Sequence, residues 1–460
     1  MSPAAPQRLS HEALGRILRE GPGTGFDRWL VAVTDPVRRA EQVDALDDDG
    51  VHALGRVLDD DGAEELLSSI ETHAAASLLV RWEPTTAARL LPALNSDLAT
   101  DILREVPARP RDAILGALSA DRAAVLRDLL GRAVDTAAAH MVPEVLSVPA
   151  RASAEEAIGV ARGFGGRGAD SQTGAYVYVV DDDRRLVGVV AFRALVLAQP
   201  GTRISGVMTS SPLYVDQDGD AEKAARLLLD HRLLALPVVD QRQRLLGILT
   251  ADAAADIVED EATDDAERQG ASRPLDVPYL RASPLLLWRK RIVWLLVLFV
   301  AEAYTGTVLQ IFEHELEAVV SLAFFIPLLI GTGGNAGTQI TTTIVRAVSL
   351  QQIRLRDLGR VLVTELSTAG LIAVAMAGAG LVRAFTLDVG WEIVLVVSLT
   401  LAAIVMWSAL VASVLPLLLT RTRVDPAVVS GPMIATIVDG TGLVIYFLIA
   451  KALLPELRGL

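Results

Sequence analysis

One carboxylate dominates the chemistry this sequence can do. Asp439 is the only residue charged at neutral pH in the stretch VVSGPMIATIVDGTGLVIYFLIA, residues 428–450, which is long enough as a helix rising about 1.5 Å per residue to cross a bilayer's hydrocarbon. A carboxylate near the bilayer midplane costs about 2.5–3.5 kcal/mol on insertion scales, so such groups face a bundle interior or a wet path and mark routes for ions. Helix positions three, four and seven apart share a face. Asp439 is therefore expected to stack with Pro432, Ala435, Thr436 and Gly442 in a small, polar stripe. Ile434, Ile437, Leu443 and Tyr446 are left for lipid or neighbouring helices. An aspartate that only pins helix packing is the competing reading, although a neutral Asn would serve that purpose at lower cost.

A second stretch, PLLIGTGGNAGTQ at 327–339, places four glycines inside a hydrophobic run together with Asn335, Thr338 and Gln339. Glycines weaken a helix and free backbone carbonyls. Irregular backbone at membrane depth is tolerated where it is buried in protein or lines a water-filled cavity, and broken helices mark ion sites in transporters. Gly334, Asn335, Thr338 and Gln339 are thus candidate pore groups, with Ala435, Thr436 and Asp439 opposite them. Gly333 and Gly337 also form a G-x-x-x-G pair, the signature of close helix packing, but packing alone leaves the amides unexplained. No GK[ST] follows, which argues against a phosphate-binding loop.

The third chemistry-bearing stretch is ADAAADIVEDEATDDAERQG, 251–270, with eight acidic residues between Asp252 and Glu267. On a helix Asp252, Asp256 and Glu259 lie on one side, while Glu261, Asp264 and Asp265 form a neighbouring group. Left bare, the run repels itself and reads as a charged linker. Packed where soluble chain meets membrane, it needs bridging cations.

The elements that position these groups follow from composition. A mean hydropathy of +0.41 is too high for an ordinary soluble protein of 460 residues. The net charge of −14 is uneven: 45 acidic and 30 basic residues precede Pro284, against 11 and 12 from there on. That acidic soluble part disfavours nucleic acid and anionic lipid and permits cation binding. Without cysteine there is neither disulfide framework nor thiolate metal site. The polar start MSPAAPQRLSHEALGRILRE lacks an apolar signal core, so the N-terminus is expected not to be exported.

Along the chain, residues 10–132 carry short amphipathic segments every 11–14 residues, each led by Thr, Asp or Pro, and predict a stacked helical superhelix. The triplets Asp47-Asp48-Asp49 and Asp59-Asp60-Asp61 suit helix starts, with weak cation contacts as the sharper alternative. Between 141 and 256 the period changes. YVYVVDDDRRLVGVVAF and LPVVDQRQRLLGILT are both strand, turn, strand, and Asp181/Asp240 and Gly188/Gly247 are each 59 residues apart. An Ala-rich helix precedes each, giving a duplicated β-α-β-β order. This order resembles a tandem pair of CBS domains, modules that commonly dimerise and often bind adenosine nucleotides such as ATP; nucleotide binding stays open here, because neither copy carries a phosphate-cradling Gly-rich loop with Lys. From residue 288 five apolar helices are predicted near 292–312, 319–345, 361–385, 393–419 and 428–453, the second long and interrupted. Basic residues cluster in the short loops on one side, which places the soluble part in the cytoplasm and the C-terminus outside.

GTGGNAGTQ, DPAVVSGPMIATIVDGTGL, five spans, the tandem CBS copies and the helical repeats together resemble the MgtE family of magnesium transporters and channels over essentially the whole chain. The resemblance implies a multidomain fold: an α-helical superhelix (1–135), an α/β CBS pair (136–258), an acidic plug helix (259–283) and a five-helix transmembrane domain (284–460). It implies a homodimer in the cell membrane, with the pore on the two-fold axis and Asp439 recognising hydrated Mg²⁺. It also implies that cytosolic Mg²⁺, bound among the helical domain, the CBS pair and the plug, closes the channel, with Asp425 at the cytoplasmic start of the fifth helix taking part. Two positions depart from the family pattern: Gly431 stands where Asn is usual, and Ala253 where an acid is common. Glu302, inside the first span, has no family role. Rival readings are an intramembrane aspartyl protease, which lacks a second mid-span aspartate, and a non-conducting membrane-anchored cation sensor.

Overall fold

The computed structural model describes residues 13–19, 25–165, 174–199, 201–275, 277, 279, 282–387, 389–422 and 431–457. It divides into two compact units, Met1–Asp260 and Glu261–Leu460, and the division falls inside one helix.

The first unit opens with ten short helices: α1 (Ala13–Arg19), α2 (Gly25–Ala32), α3 (Pro36–Asp44), α4 (Asp48–Val57), α5 (Asp60–Ser69), α6 (Thr72–Arg81), α7 (Pro84–Leu90), α8 (Ser96–Glu105), α9 (Ala108–Ala117) and α10 (Ala120–Leu130). The acidic triplets start helices, as the simpler reading expects. Asp47 caps α4 by accepting from the Gly50 N–H at 2.8 Å, and Asp59 caps α5 by accepting from Gly62 at 2.9 Å. Their neighbours supply negative charge to the first turn, where the helix dipole favours it. Each helix then packs on those two or three further along: α4 on α6 and α7, α6 on α8, α7 on α9, α8 on α10. Arginines stitch the stack. Arg81 donates to the Leu46 carbonyl at 2.7 Å, Arg89 to Leu58 at 3.1 Å, and Arg122 to Leu94 at 2.6 Å. These carbonyls, at or just beyond helix C-termini, have lost their intrahelical partners, and a cation is the favoured donor there.

Two α/β units follow. In the first, β1 (Ser147–Pro149) pairs in parallel with β2 (Tyr176–Val180), β2 with β3 (Leu186–Ala191) antiparallel, and β3 with β4 (Thr209–Ser210). In the second, β5 (Val215–Asp216), β6 (Ala235–Val239) and β7 (Leu245–Thr250) repeat the pattern. Helices α11 (Ala154–Gly165) and α13 (Ala221–Asp230) precede the two hairpins, and the short α12 (Phe192–Val196) follows the first.

The duplication reaches single residues. Asp181 accepts the N–H groups of Asp183 and Arg185, and Asp240 those of Arg242 and Arg244. Arg184 (φ 64°) and Gln243 (φ 62°) take the same left-handed turn position. Gly188 and Gly247 lie against Met208 and Met141, whose sulfurs would stand 2.5 and 2.7 Å from an added Cβ. The hairpin tips meet each other through Leu186 N–H to Gln243 and Leu245 N–H to Arg184.

Helix α14 (Ala251–Gln269) carries the acidic run into the second unit. There, α15 (Pro284–Ile311), α16 (Glu313–Ala318), α17 (Ile326–Ser349), α18 (Leu358–Thr386), α19 (Trp391–Leu419) and α20 (Gly431–Leu453) follow. Among the described residues, five helices are long and apolar enough to cross a membrane. The second span differs from expectation. Its irregular part is the 3₁₀ segment Val320–Phe325 ahead of Pro327, and from Ile326 the helix runs unbroken through all four glycines. Packing explains this. An added Cβ at Gly333 would stand 2.6 Å from Ile404 and 2.8 Å from Val438, and one at Gly337 would stand 2.7 Å from Ile434. Gly333 and Gly337 let α17, α19 and α20 approach closely within a continuous α17. Ile434, Leu443 and Tyr446 are accordingly buried inside the bundle, whereas α15 and α18 present Leu296, Phe299, Val300, Leu371, Val374 and Phe385 outward.

At one end of the bundle, Lys451 on α20 pairs with the buried Glu315 of α16 at 2.9 Å. The Tyr446 hydroxyl donates to the Leu322 carbonyl at 3.0 Å, and Phe312 stacks on Phe447 at 4.6 Å.

Candidate functional site

The glycine face of α17 is what places Asp439. Gly334 is buried, and a Cβ built on it would stand 3.2 Å from Ala435 and 3.4 Å from Asp439 Oδ1. Gly334, Ala435 and Asp439 thus come together as the sequence suggests. Asp439 is half-buried, and its Oδ1 is sealed from solvent with no hydrogen-bond partner. An acceptor in that condition suits a cation or the water of a hydrated one.

The rest of the expected set divides. Thr338 sits one turn along α17, its hydroxyl 3.4 Å from the Gly431 carbonyl and its methyl in the space a side chain at 431 would need. Gly431, where the family pattern has Asn, is therefore filled from the neighbouring helix. Asn335 and Gln339 are exposed on the outer side of α17, one turn apart. Within the expected stripe exposure is uneven: Thr436 is buried at 8% exposure, whereas Pro432, one turn before it, is exposed. Gly442 packs on Ile404. Thr436 and Gly442 stand about 60° to either side of Asp439 at about 100° per residue, so they form the two edges of the stripe. Glu302, on α15, is close enough to Asp439 for the two charges to interact.

The acidic helix is organised by a partner the sequence reading did not name. Asp97 and Asp101 are one turn apart on α8, and the charges of Asp252 on Asp97 and of Asp101 on Asp256 are felt between α8 and α14. Burial, then the charges of Asp101 and Asp252, pushes Asp97 up to about 7, and its Oδ1 is buried without a hydrogen-bond partner. Asp101 is also raised by burial, although Arg104 holds it at 2.7 Å. Desolvation, then Asp252, Asp260, Glu259 and Asp101, pushes Asp256 up to about 6. The signal was present in DLATD, two carboxylates at i and i+4, but it was hidden in a repeat read as packing.

Glu261, Asp264 and Asp265 occupy the continuation of α14, half-buried, and Asp264 is paired with Arg268 at 3.2 Å. Ala253 packs against an apolar cluster that includes Ala138 and Leu228, which accounts for an apolar residue there. Asp425 lies outside the described residues. Among the described residues no three His, Asp or Glu converge as direct metal ligands. The aspartates fit an ion that keeps its water, as Mg²⁺ does, bound through one or two carboxylates.

Comparison with known proteins decides the family. A family model described as divalent cation transporter (MgtE) matches residues 326–449, one described as MgtE intracellular N domain matches 34–131, and the CBS domain model matches 136–201 and 204–260. The magnesium transporter MgtE of Thermus thermophilus is 41% identical over 327 residues, 70% of each chain. The chain belongs to the MgtE family. The MgtE of Enterococcus faecalis is 32% identical over 336 residues, 72% of each chain. The crystal structure of the soluble part of a magnesium transporter covers 55% of this chain and 98% of its own, at 27% identity and a TM-score of 0.49. As in other MgtE chains, a helical N-terminal domain, a CBS pair and a membrane bundle follow one another here.

Proposed function

We propose that this chain is a Mg²⁺-selective, channel-like uptake protein of the cell membrane, closed by cytosolic Mg²⁺ bound to its soluble domains. The single observation that carries the reading is the buried, unpartnered carboxylate oxygen of Asp439 in the middle of a membrane helix, against Gly334 and Ala435. Mg²⁺ wants six oxygens and gives up water reluctantly. A carboxylate that takes hydrogen bonds from the ion's water avoids the desolvation that direct coordination demands. In a homodimer with the pore on its axis, two Asp439 side chains would repel one another, and a divalent ion relieves that repulsion better than a monovalent one. Asn335, Gln339 and Thr338 are the neighbouring polar groups proposed to meet the water shell.

For gating, the groups proposed to hold cytosolic Mg²⁺ are Asp97, Asp101, Asp252, Asp256 and Glu259, followed by Glu261, Asp264 and Asp265 along α14, with Asp425. The ion supplies positive charge where carboxylates crowd. Asp97 and Asp256 are raised toward neutrality, first by burial and then by neighbouring carboxylates, so a cation near them would relieve a repulsion already present. Several weak sites together supply the few kcal/mol that a population shift requires. The four-part division at 135, 258 and 283, a cytoplasmic N-terminal part and an extracytoplasmic C-terminus belong to the same proposal. ATP at the CBS pair is proposed on Thr250, whose buried hydroxyl at the end of β7 has no partner. Titration calorimetry with T250V as control tests it.

Reconstitution separates transport from its alternative, a membrane-anchored cation sensor. Liposomes carrying the protein are expected to take up Mg²⁺ and to slow as internal Mg²⁺ rises. A protein that binds Mg²⁺ while its liposomes stay tight would be the sensor.

A further inference from the structure

A phenol from the first span sits in the backbone of the fifth, at the turn that carries Asp439. Tyr304, on α15, donates its hydroxyl to the Ile437 carbonyl at 2.9 Å. That hydroxyl therefore reaches the carbonyl end of the i to i+4 rung that joins Ile437 to Thr441 in α20. Only glycine at 440 allows this, because an added Cβ would stand 2.1 Å from the Tyr304 ring.

The same rung is gripped from the other side. Thr441 donates its hydroxyl to Ile437 at 2.7 Å and accepts the Trp407 indole N–H from α19 at 2.8 Å. The Ile437 carbonyl thus takes two hydroxyl donors, from Tyr304 and Thr441, which fixes the backbone at that point, and the rung from 437 to 441 brackets Asp439. Neither Tyr304 nor Trp407 carries charge, and neither reaches the face where Asp439 meets Gly334.

We propose that Tyr304 is a positioning residue for ion selection: seated in the notch at Gly440, its hydroxyl fixes the 437–441 turn of α20 and so the aim of the Asp439 carboxylate. The proposal rests on the reading of Asp439 as the ion-selecting group. A carboxylate meant to meet a hydrated ion through water has few rigid contacts of its own, so its direction comes from the backbone beneath it. The phenol ring fills the notch, and the hydroxyl sets the geometry.

The test is the ratio of Mg²⁺ to K⁺ flux in liposomes, with thermal stability in detergent measured alongside, for wild type, Y304F and G440A. Y304F keeps the ring and is expected to unfold no more than about 4 °C below the wild type and still conduct. Its Mg²⁺ to K⁺ ratio is expected to fall about five-fold, the factor that about 1 kcal/mol of hydrogen bonding represents. G440A, which expels the ring, is expected to lose the ratio at least as far, and Y304F combined with G440A to be no worse than G440A. A wild-type ratio in Y304F overturns the proposal, and so does a ratio that falls only in step with stability. If D439N leaves the ratio intact, the reading of Asp439 fails first and the proposal with it. If D439N abolishes the ratio and Y304F does not touch it, only the role of Tyr304 is lost.

Discussion

Asp97 and Asp256 are the residues at which charge and stability are most directly linked. Both carboxylates are raised in the folded protein, to about 7 and about 6. Between the ordinary carboxylate value and these, the folded state holds protons that the unfolded chain has released. Stability therefore falls as pH rises through that window and is greatest below it. Without Mg²⁺, the unfolding midpoint is expected to be higher near about pH 5 than near about pH 7.5, and D97N is expected to flatten the difference. Added Mg²⁺ is expected to raise the midpoint more at the higher pH, where protons no longer compete, as for any ligand that binds only the folded state. A midpoint rising with pH would contradict the burial of Asp97. That residue also shows what a single chain leaves implicit: DLATD displays two carboxylates one turn apart, but only the approach of α14, some 150 positions later, turns them into half of a cluster.

At the scale of the helix, the sequence located elements well and their breaks less well. The five spans and the two hairpins stand close to where hydrophobic runs and turn aspartates place them, down to the paired left-handed residues Arg184 and Gln243. The glycine run does not break the helix, because packing at Gly333, Gly334 and Gly337 offsets the backbone entropy that glycine costs. Ile404, Ile434 and Val438 supply it at Gly333 and Gly337. G337L is expected to destabilise the bundle by about 1–3 kcal/mol, the usual range for overpacking, read as a lower unfolding temperature in detergent. G331L, at a position with nothing within 4 Å of an added Cβ, should be tolerated.

The ion pair at the far end of the bundle has a separate test. K451M leaves the buried Glu315 carboxylate without its partner and is expected to lower the unfolding temperature, and E315Q in the same chain to restore part of it. Equal behaviour of the single and double variants would mean that the pair is idle.

For the whole molecule, the proposal joins a bundle and a soluble sensor into one device. Light scattering of the detergent-solubilised protein is expected to give twice the 49.0 kDa chain mass, corrected for detergent; a monomer would remove the pairing of Asp439 side chains. D97N combined with D101N is expected to leave Mg²⁺ uptake intact and make it insensitive to internal Mg²⁺. The triple variant E261Q, D264N and D265N is expected to do so less completely, since Asp264 already has Arg268 for a partner.

The measurement that bears most directly on the central claim is Mg²⁺ uptake by liposomes holding equal amounts of wild-type and D439A protein, with internal Mg²⁺ kept low so that both stand open. The account expects uptake by the wild type and none above empty liposomes by D439A, with the two proteins running at the same assembled mass. Undiminished uptake by D439A would contradict it, because the buried carboxylate on the fifth helix would then have no part in the passage of the ion.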